Sequence, residues 1–324
     1  MLGWEFPDHV TRAHAVNSLE TLSDPELACY LQQLVWVIKY ESFHESPLAC
    51  FLVERALRNQ ESIGHPLFWC LRREILHDPS MALRYGLILE AYLLGCSGPQ
   101  VELLSRELSL CAQLSAVSAE VKKAKKEKRT DALFAQLNKV RFAQGTFVLP
   151  LDSSLECSGL IVSGCKVLKS LLSPIFLTFR NADPRGEPIQ VIFKTGDDLR
   201  QDDLALQMIH IMDSLWNDHG LDLKMSCYKV VSTGVNEGMI EVVTNAETIG
   251  NITRPSGSFS VFKYDLLEDW LRRKAPSAGV DYQKAVDNFT RSCAGYCVAT
   301  FVLGVGDRHN DNIMLCNNGK LLRK

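Results

Sequence analysis

The stretch that decides the fold is VIFKTGDDLRQD, residues 191–202. Its first part is apolar, rich in β-branched and aromatic residues and of strand length, and it ends on Lys194. A lysine at the end of such a strand can direct its ammonium toward the phosphates of a nucleotide lying along the sheet. Most lysines in this position are simply solvated, so the stretch alone predicts a strand and leaves its chemistry open.

Other strand-like segments surround this one. Residues 175–179, Ile-Phe-Leu-Thr-Phe, have the same composition, and the turn-rich residues 181–186, Asn-Ala-Asp-Pro-Arg-Gly, separate them from residues 190–194. This order predicts a β-hairpin. Further strand-like segments follow at Met225–Val231 and Met239–Val243.

Helical patterns are interleaved with these strands. Asp202–Asn217 predicts a helix, and the pattern is helical again from Ala246. Tyr282–Leu303 predicts one long, largely buried helix that ends at Gly304-Val305-Gly306, because glycine terminates helices well. A sheet followed by helices, with charged motifs in the connecting loops, favours a two-lobed kinase.

The first 130 residues or so predict helix after helix. Helix starts are indicated at Ser23-Asp24-Pro25, Ser46-Pro47 and Asp78-Pro79, where Ser23 is a plausible N-cap. The helix after Ser23 has one apolar stripe, made of Leu27, Leu31, Leu34, Val35 and Ile38. The helix after Asp78 carries Leu83, Leu87 and Ala91, and the predicted breakers are Gly64-His65-Pro66 and residues 95–99. Such helices are typical of a bundle or solenoid.

Composition excludes several classes of protein. The net charge of −3 argues against nucleic-acid binding, for which a strong basic excess is expected. The eleven cysteines form no C-x-x-C pair, so the sequence predicts no zinc site and a reduced, cytoplasmic protein. Neither a signal peptide nor an apolar run long enough to span a bilayer is evident. A basic run, Lys122–Arg129, is expected to be a solvated helix face, with contact to an anionic membrane as the alternative.

A second stretch, Gly306-Asp307-Arg308-His309-Asn310-Asp311-Asn312-Ile313-Met314, follows the predicted end of the long helix. It places an acid, an imidazole and a carboxamide within six residues. Phosphoryl transfer uses such groups together, as a base or orienter for the attacking hydroxyl and as an oxygen ligand for magnesium. Singly, each of them would be an ordinary polar surface residue.

Together, the patterns K-x-G-D-D-L-R-Q-D and G-D-R-H-N-D-N-I-M resemble those of the phosphoinositide 3-/4-kinase superfamily, and they differ from the H-R-D-L-x-x-x-N order of protein kinases. Three segments are most similar to class II phosphoinositide 3-kinases: residues 232–234, 245–249 and 292–300. Residues 39–48 resemble the accessory helical (PIK) domain that precedes this kinase domain. The resemblance covers nearly the whole chain.

The resemblance implies an α+β fold, in which an all-α helical-repeat accessory domain precedes a two-lobed protein-kinase-like domain. The implied limits are 1–100 for the accessory domain, 101–140 for a linker helix, 141–243 for the β-rich small lobe and 244–324 for an incomplete α-helical large lobe. The activity implied is ATP-dependent transfer of phosphate to the 3-hydroxyl of phosphatidylinositol or its 4-phosphate, with Mg²⁺ as cofactor.

Roles for individual residues also follow from the resemblance. Lys194 would contact the ATP phosphates, Asp202 would face Tyr228 at the back of the adenine pocket, and the backbone of Glu241 and Val243 would bond adenine. The apolar residues that would enclose adenine are Ile192, Ile240 and Met314, each of which could instead be simple core. Residues 166–174 match the phosphate-covering loop, with Ser170 and Lys169 as candidates.

In the second motif, His309 would act as base or orienter for the 3-hydroxyl, because small shifts move a histidine pKa across neutrality. Asp307 would position that hydroxyl or assist proton transfer, and Asn312 would bind magnesium. The family pattern continues into an Asp-Phe-Gly segment that supplies another metal ligand, and no Asp-Phe-Gly occurs here. We therefore expect a carboxy-terminally truncated chain with little kinase activity and poor solubility.

Two alternatives remain open at this point. The chain could be a non-catalytic interaction module or dominant-negative fragment acting through its helical domain, or it could belong to a phosphoinositide 4-kinase or a related protein kinase. The expected partners are a phosphoinositide lipid at a membrane surface, possible proteins bound by the helical domain, and no nucleic acid. The expected location is cytoplasmic, with peripheral association with the plasma or endosomal membrane.

Overall fold

The computed structural model of the chain describes residues 1–142, 145–254, 265–306 and 309–323. The chain divides into two units. The first contains Met1–Leu204 together with Lys229–Glu241, and the second contains Ala205–Tyr228 and the chain from Val242 onward. Among the described residues, no helix combines the length and the apolar character needed to cross a bilayer.

The first unit begins with helices. They are α1 (His9–Leu19), α2 (Asp24–Val37), α3 (Pro47–Arg58), α4 (His65–His77), α5 (Ala82–Gly95), α6 (Gly98–Lys123) and α7 (Arg129–Leu137). The predicted start signals of α2 and α3 are confirmed. The Glu26 carboxylate accepts a hydrogen bond from the Ser23 backbone N–H at 2.7 Å, and Ser46 Oγ accepts one from the Ala49 N–H at 3.2 Å.

The predicted breaker at Gly64-His65-Pro66 is wrong. A π-helical turn at Gln60–Gly64 leads directly into α4, and Pro66 lies in the first turn, where no N–H donor is needed. Gly64 serves close packing instead, because a Cβ there would lie 2.3 Å from Tyr92 Oη and 2.9 Å from the Ala56 carbonyl oxygen.

The apolar residues noted in the sequence of α5 do not form its buried face. Leu83 is 68% exposed and Leu87 is 40% exposed, while the buried residues of α5 are Tyr85, Ile88 and Tyr92. Both sets have helical spacing, and the set with two large aromatic rings removes more apolar surface from water. The helix also starts at Ala82, four residues after Asp78.

A curled antiparallel sheet completes the first unit. Its strands are β1 (Phe147–Leu149), β2 (Asp152–Leu160), β3 (Lys166–Val167), β4 (Ile175–Asn181), β5 (Ile189–Thr195), β6 (Val230–Gly234) and β7 (Glu237–Glu241). The spatial order is β1-β2-β4-β5-β7-β6, and β3 pairs with β4. The predicted hairpin is confirmed as β4 and β5, which pair from Ile175↔Phe193 to Phe179↔Ile189. One continuous core joins the inner face of this sheet to α6 and α7.

The second unit contains most of α8 (Arg200–Asp218), which begins in the first unit. It also contains β8 (Ala246–Thr248), α9 (Ile249–Thr253), α10 (Leu266–Lys274), α11 (Tyr282–Val302), β9 (Ile313–Cys316) and β10 (Leu321–Arg323). The three strands form a small antiparallel sheet in the order β10-β9-β8. The helix predicted for Asp202–Asn217 is confirmed as α8, and the α+β fold class is confirmed as well.

Three predictions fail in detail. Residues 246–248 form a strand and not the start of a helix. The long helix is confirmed as α11, followed by Gly304 at φ 63°, but its last two residues are not buried, since Phe301 is 82% and Val302 63% exposed. The strand predicted at Met225–Val231 begins only at Val230. The Met225 side chain packs at Gly295, and Tyr296 Oη donates to the Ser226 carbonyl oxygen at 2.5 Å, so contacts with α11 fix this segment without a strand partner.

Replacement of Gly238 by alanine is expected to destabilise the sheet. Gly238 pairs with Lys194 across β5 and β7, and a Cβ there would lie 2.2 Å from the Val231 carbonyl oxygen and 2.8 Å from Leu199 Cδ1. We expect Gly238→Ala to lower the free energy of unfolding by about 1–3 kcal/mol, measured by urea titration. Gly86→Ala in α5, where nothing lies within 4 Å, is the matched control and should stabilise by about 0.5–1 kcal/mol. Equal effects at both sites would contradict this account.

Candidate active site

One face of the first unit's sheet brings three predicted residues together. Ile192 and Lys194 alternate along β5 with the buried Val191 and Phe193, and Ile192 pairs directly with Ile240 on β7. Directly paired residues of antiparallel strands project to the same face. Ile192, Lys194 and Ile240 are all half-buried and therefore form one partly apolar surface that ends in a cation.

Lys194 is held at the end of this surface by an acidic neighbour. Its ammonium forms an ion pair with the Asp197 carboxylate, and the Lys194 side chain is 23% exposed. Gly196 at φ 90° makes the turn between them, and the Gly196 N–H donates to the Asn236 carbonyl oxygen at 2.7 Å. The Lys194 ammonium is therefore positioned and charge-paired, with an anionic partner that a phosphate oxygen could replace.

The predicted phosphate-covering loop connects β3 to β4. Ser170 is exposed; its N–H donates to the Leu168 carbonyl oxygen at 3.0 Å, and its own carbonyl accepts from the Ser173 N–H at 3.1 Å. Ser173 is buried and has φ 50°, and Leu171 is 99% exposed. The loop is thus a tight turn with Ser170 and Leu171 on its outer side.

The residues predicted to bond adenine fall in both units. Glu241 ends β7; its N–H donates to the Lys229 carbonyl oxygen at 2.9 Å, and its carboxylate accepts from the Lys229 N–H at 2.9 Å. Three further predicted residues belong to the second unit and pack against a single core cluster there: Tyr228, Val243 and Met314. Asp202 is exposed in the first turn of α8, in the first unit.

An acidic and basic network at the start of α8 was not predicted. Arg200 binds Asp198 at 2.6 Å and lowers the pKa of that carboxyl to about 2. Arg73 of α4 binds Asp203 at 3.0 Å, while burial raises the pKa of Asp203 to about 6. A cavity of about 430 Å³ adjoins this network and is lined by Gln32, Gln33, Trp36, Arg73, Glu74, Asp198, Arg200, Gln201 and Leu204. Arg73 and Asp203 are separated by 130 positions in the sequence, and no local pattern predicts their contact.

The second motif forms a tight turn in the second unit. His309 is exposed; its carbonyl oxygen accepts from the Asn312 N–H at 2.9 Å, and its Nδ1 accepts from the Asp311 N–H at 3.2 Å. A ring nitrogen that accepts a hydrogen bond carries no proton, so a neutral His309 has its proton on Nε2. In this arrangement the ring offers a donor at Nε2. Asp307 lies outside the described residues.

Asn312 and Met314 stand at the start of the small sheet. Met314 of β9 pairs with Thr248 of β8 and Leu322 of β10, which fixes the turn before it. The carboxamide oxygen of half-buried Asn312 is the kind of hard ligand that Mg²⁺ accepts. No group of three or more His, Cys, Asp or Glu side chains suited to a metal occurs in the part of the chain that the structure describes. Asn312 therefore fits Mg²⁺ as one ligand among phosphate oxygens and water.

Comparison with known proteins gives a family for both parts of the chain. The profile of the phosphoinositide 3-kinase family accessory domain (PIK domain) matches residues 1–105, and that of phosphatidylinositol 3- and 4-kinase matches residues 188–323. The resemblance predicted from the two motifs and from residues 39–48 is thereby confirmed.

Similar proteins extend the match over the whole chain. Phosphatidylinositol 3-kinase 1 of Dictyostelium discoideum is 46% identical over 96% of this chain, which spans 20% of that protein. Human phosphatidylinositol 4-phosphate 3-kinase C2 domain-containing subunit beta is 43% identical over 98% of this chain, which spans 19% of it. The chain thus covers about one fifth of the length of these relatives. Through both its accessory and its kinase sequences, the chain belongs to the phosphoinositide 3-kinase family.

Proposed function

We propose that this chain is the accessory and kinase segment of an ATP-dependent phosphoinositide 3-kinase. Its proposed parts are an accessory domain at 1–100, a linker helix at 101–140, a small lobe at 141–243 and part of a large lobe at 244–324. The reaction is transfer of the ATP γ-phosphate to the 3-hydroxyl of phosphatidylinositol or phosphatidylinositol 4-phosphate. The observation that carries the proposal is the shared sheet face of Ile192, Lys194 and Ile240, because it joins an apolar surface for a base to a fixed cation for phosphates. The names of the two relatives described above, both 3-kinases, favour the 3-hydroxyl over the 4-hydroxyl.

In the nucleotide half, the Lys194 ammonium exchanges the Asp197 carboxylate for ATP phosphate oxygens. Ile192 and Ile240 pack against adenine. Other residues are proposed for this half as well. Ser170 would contact the phosphates, Met314 would pack against adenine, and the backbone of Glu241 and Val243 would bond adenine. Asp202 and Tyr228 would lie at the back of the adenine pocket. Positioning and charge stabilisation account for most of phosphoryl-transfer catalysis, and these groups supply both.

In the acceptor half, His309 orients the lipid hydroxyl or an adjacent phosphate oxygen through its Nε2–H. The hydrogen bond from the Asp311 N–H to Nδ1 supports this role over that of a base, since the accepting nitrogen is already engaged. Asp307 takes the proton or positions the hydroxyl. Asn312 supplies an oxygen ligand to Mg²⁺, which when bound neutralises phosphate charge.

A lipid substrate requires contact with a membrane surface, and we propose peripheral association in the cytoplasm. Lys125, Lys126 and Lys128 are exposed and close in sequence. Clustered cations of this kind each contribute about 1 kcal/mol to binding of an anionic bilayer. They provide a modest electrostatic contribution to that association.

Turnover by these 324 residues alone is proposed to be slow. No Asp-Phe-Gly occurs among them, and a metal-binding aspartate at that point of the family pattern contributes to charge neutralisation in the reaction. Nucleotide binding depends less on that aspartate, because the proposed contacts of Ile192, Lys194 and Ile240 do not involve it.

Calorimetric titration of the chain with ATP, with and without Mg²⁺, tests the proposal. We expect saturable binding that Mg²⁺ strengthens, and any lipid product formed from phosphatidylinositol vesicles should carry its new phosphate at position 3. A non-catalytic scaffold need not respond to the metal. Absence of ATP binding, or phosphate at position 4, would overturn the assignment.

A further inference from the structure

The basic run Lys122–Arg129 was expected to be a solvated face, but two of its cations are half-buried. It spans the end of α6 and the start of α7. Lys122 and Arg129 are half-buried, whereas Lys123, Lys125, Lys126 and Lys128 are exposed. An exposed lysine keeps its ammonium hydrated, whereas a half-buried cation loses part of its water and needs hydrogen-bond acceptors in the protein.

Lys122 binds the residue that follows Lys194. Its Nζ donates to the Thr195 carbonyl oxygen at 2.7 Å and to Thr195 Oγ1 at 2.6 Å, and Ser118 of α6 lies 2.8 Å from the same hydroxyl. Two contacts from one ammonium fix both the backbone and the side chain at the end of β5. Lys194 is therefore attached to α6 through its direct neighbour in the chain.

Arg129 binds the loop predicted to cover the phosphates. Its Nη1 donates to Ser173 Oγ at 2.5 Å, and its Nε donates to the Ala124 carbonyl oxygen at 3.4 Å, where α6 ends. Ser173 is the buried residue that closes the turn around Ser170. The guanidinium therefore connects the end of α6 to the base of this loop.

Both the loop and the Lys122 ammonium lie close to Gly196. A Cβ at Gly196 would lie 3.5 Å from Leu172 Cδ2 of the loop and 3.6 Å from Lys122 Nζ. The end of β5, the loop and the Lys122 ammonium are thus in mutual proximity. Burial and the nearby Arg129 charge both lower the pKa of Lys122, which agrees with a cation placed there at some electrostatic cost.

We infer that Lys122 and Arg129 are positioning residues for ATP: by hydrogen-bonding Thr195 and Ser173, they hold Lys194 and the Ser170 loop at a fixed separation suited to a triphosphate. The inference rests on the proposed nucleotide-binding function. It assigns the α6–α7 junction a part in the kinase site, because small displacements of phosphate-binding groups weaken the contacts they make.

Binding of ATP and of adenosine to the wild-type chain and to Lys122→Met separates positioning from general stability. We expect ATP affinity to fall about fivefold and adenosine affinity to stay unchanged, because loss of one charge-assisted bond is only partly transmitted to Lys194. Lys122→Arg, which keeps a donor, should restore most of the ATP affinity. Arg129→Met should behave like Lys122→Met, and Arg129→Lys should restore part of the loss.

The matched control is Lys123→Met, which removes the same charge from the next residue of α6, where the exposed ammonium forms an ion pair with Glu120. Equal ATP affinities for Lys122→Met and Lys123→Met would overturn the inference while leaving the proposed function intact. An equal loss of ATP and adenosine affinity would also overturn it, because it would indicate general destabilisation. Failure of the wild-type chain to bind ATP would instead overturn the proposed function.

Discussion

Replacing Lys194 with methionine is expected to lower ATP affinity about 30-fold and to leave adenosine affinity unchanged. One charge-assisted hydrogen bond contributes about 2 kcal/mol, which corresponds to that factor. Methionine preserves most of the apolar stem on the sheet face beside Ile192, so the adenine surface persists. Calorimetry with ATP, ADP and adenosine measures the effect, and the difference between ligands isolates the phosphate contribution.

Two variants sharpen this test. Lys139→Met removes an exposed ammonium that donates a hydrogen bond to Gln136 just beyond the end of α7, and it should not change ATP affinity. Asp197→Asn keeps the Lys194 ammonium and removes the carboxylate that ATP must displace, so ATP affinity should stay equal or rise. Parallel losses of ATP and adenosine binding in Lys194→Met would show that the residue supports the sheet and not the phosphates.

The largest expected effect on stability is at a buried ion pair in the helical region. Arg12 is 2% exposed and binds Glu41 through Nε at 3.0 Å and Nη2 at 2.5 Å. Its Nη1 also donates to the carbonyl oxygens of Gly3 and Phe6, at 3.2 Å each. Arg12→Met leaves Glu41 charged, buried and without this partner, so we expect the free energy of unfolding to fall by about 3–5 kcal/mol in urea titrations.

The double variant Arg12→Met/Glu41→Leu provides the decisive comparison. It removes the stranded charge, so it should recover much of the stability that Arg12→Met loses. Arg58→Met is the exposed control, because its pair with Glu54 has side chains 66% and 60% exposed and should contribute less than about 1 kcal/mol. A double variant no more stable than Arg12→Met would show that the guanidinium's packing, and not its charge, determines stability.

Local sequence signals predicted the fold where local interactions determine it. Ser23 and Ser46 begin helices because each, as the N-cap, bonds a residue three positions later. The strands β4 and β5 form a hairpin because two short strand-like runs flank a turn. Local sequence could not predict which of two apolar faces of a helix is buried. On α5, the Leu83 stripe and the Tyr85 stripe have equivalent periodicity, and only the packed neighbours decide between them.

In the candidate site, too, local relations were predictable and long-range contacts were not. The adjacency of Ile192 and Lys194 follows from the two-residue repeat of a strand, whereas the pairing of Ile240 with Ile192 depends on both the order and the register of two strands that are not consecutive in the sequence. Contacts across long stretches of chain had no local signal. Lys122 reaches Thr195 across 73 residues, and the repeated cations around it predicted a solvated face. The role of Asp307 stays a prediction, as that residue lies outside the described ranges.

The central claim is that the Lys194 ammonium meets the phosphates of ATP. An acyl-phosphate derivative of ATP tests it most directly, because the amine nearest the phosphates attacks the acyl carbonyl, keeps the acyl group as an amide and releases ATP. Mass spectrometry of the labelled chain should find the acyl group mainly on Lys194, with labelling suppressed by excess ATP. Labelling spread over exposed residues such as Lys125 and Lys126, and unaffected by ATP, would contradict the account.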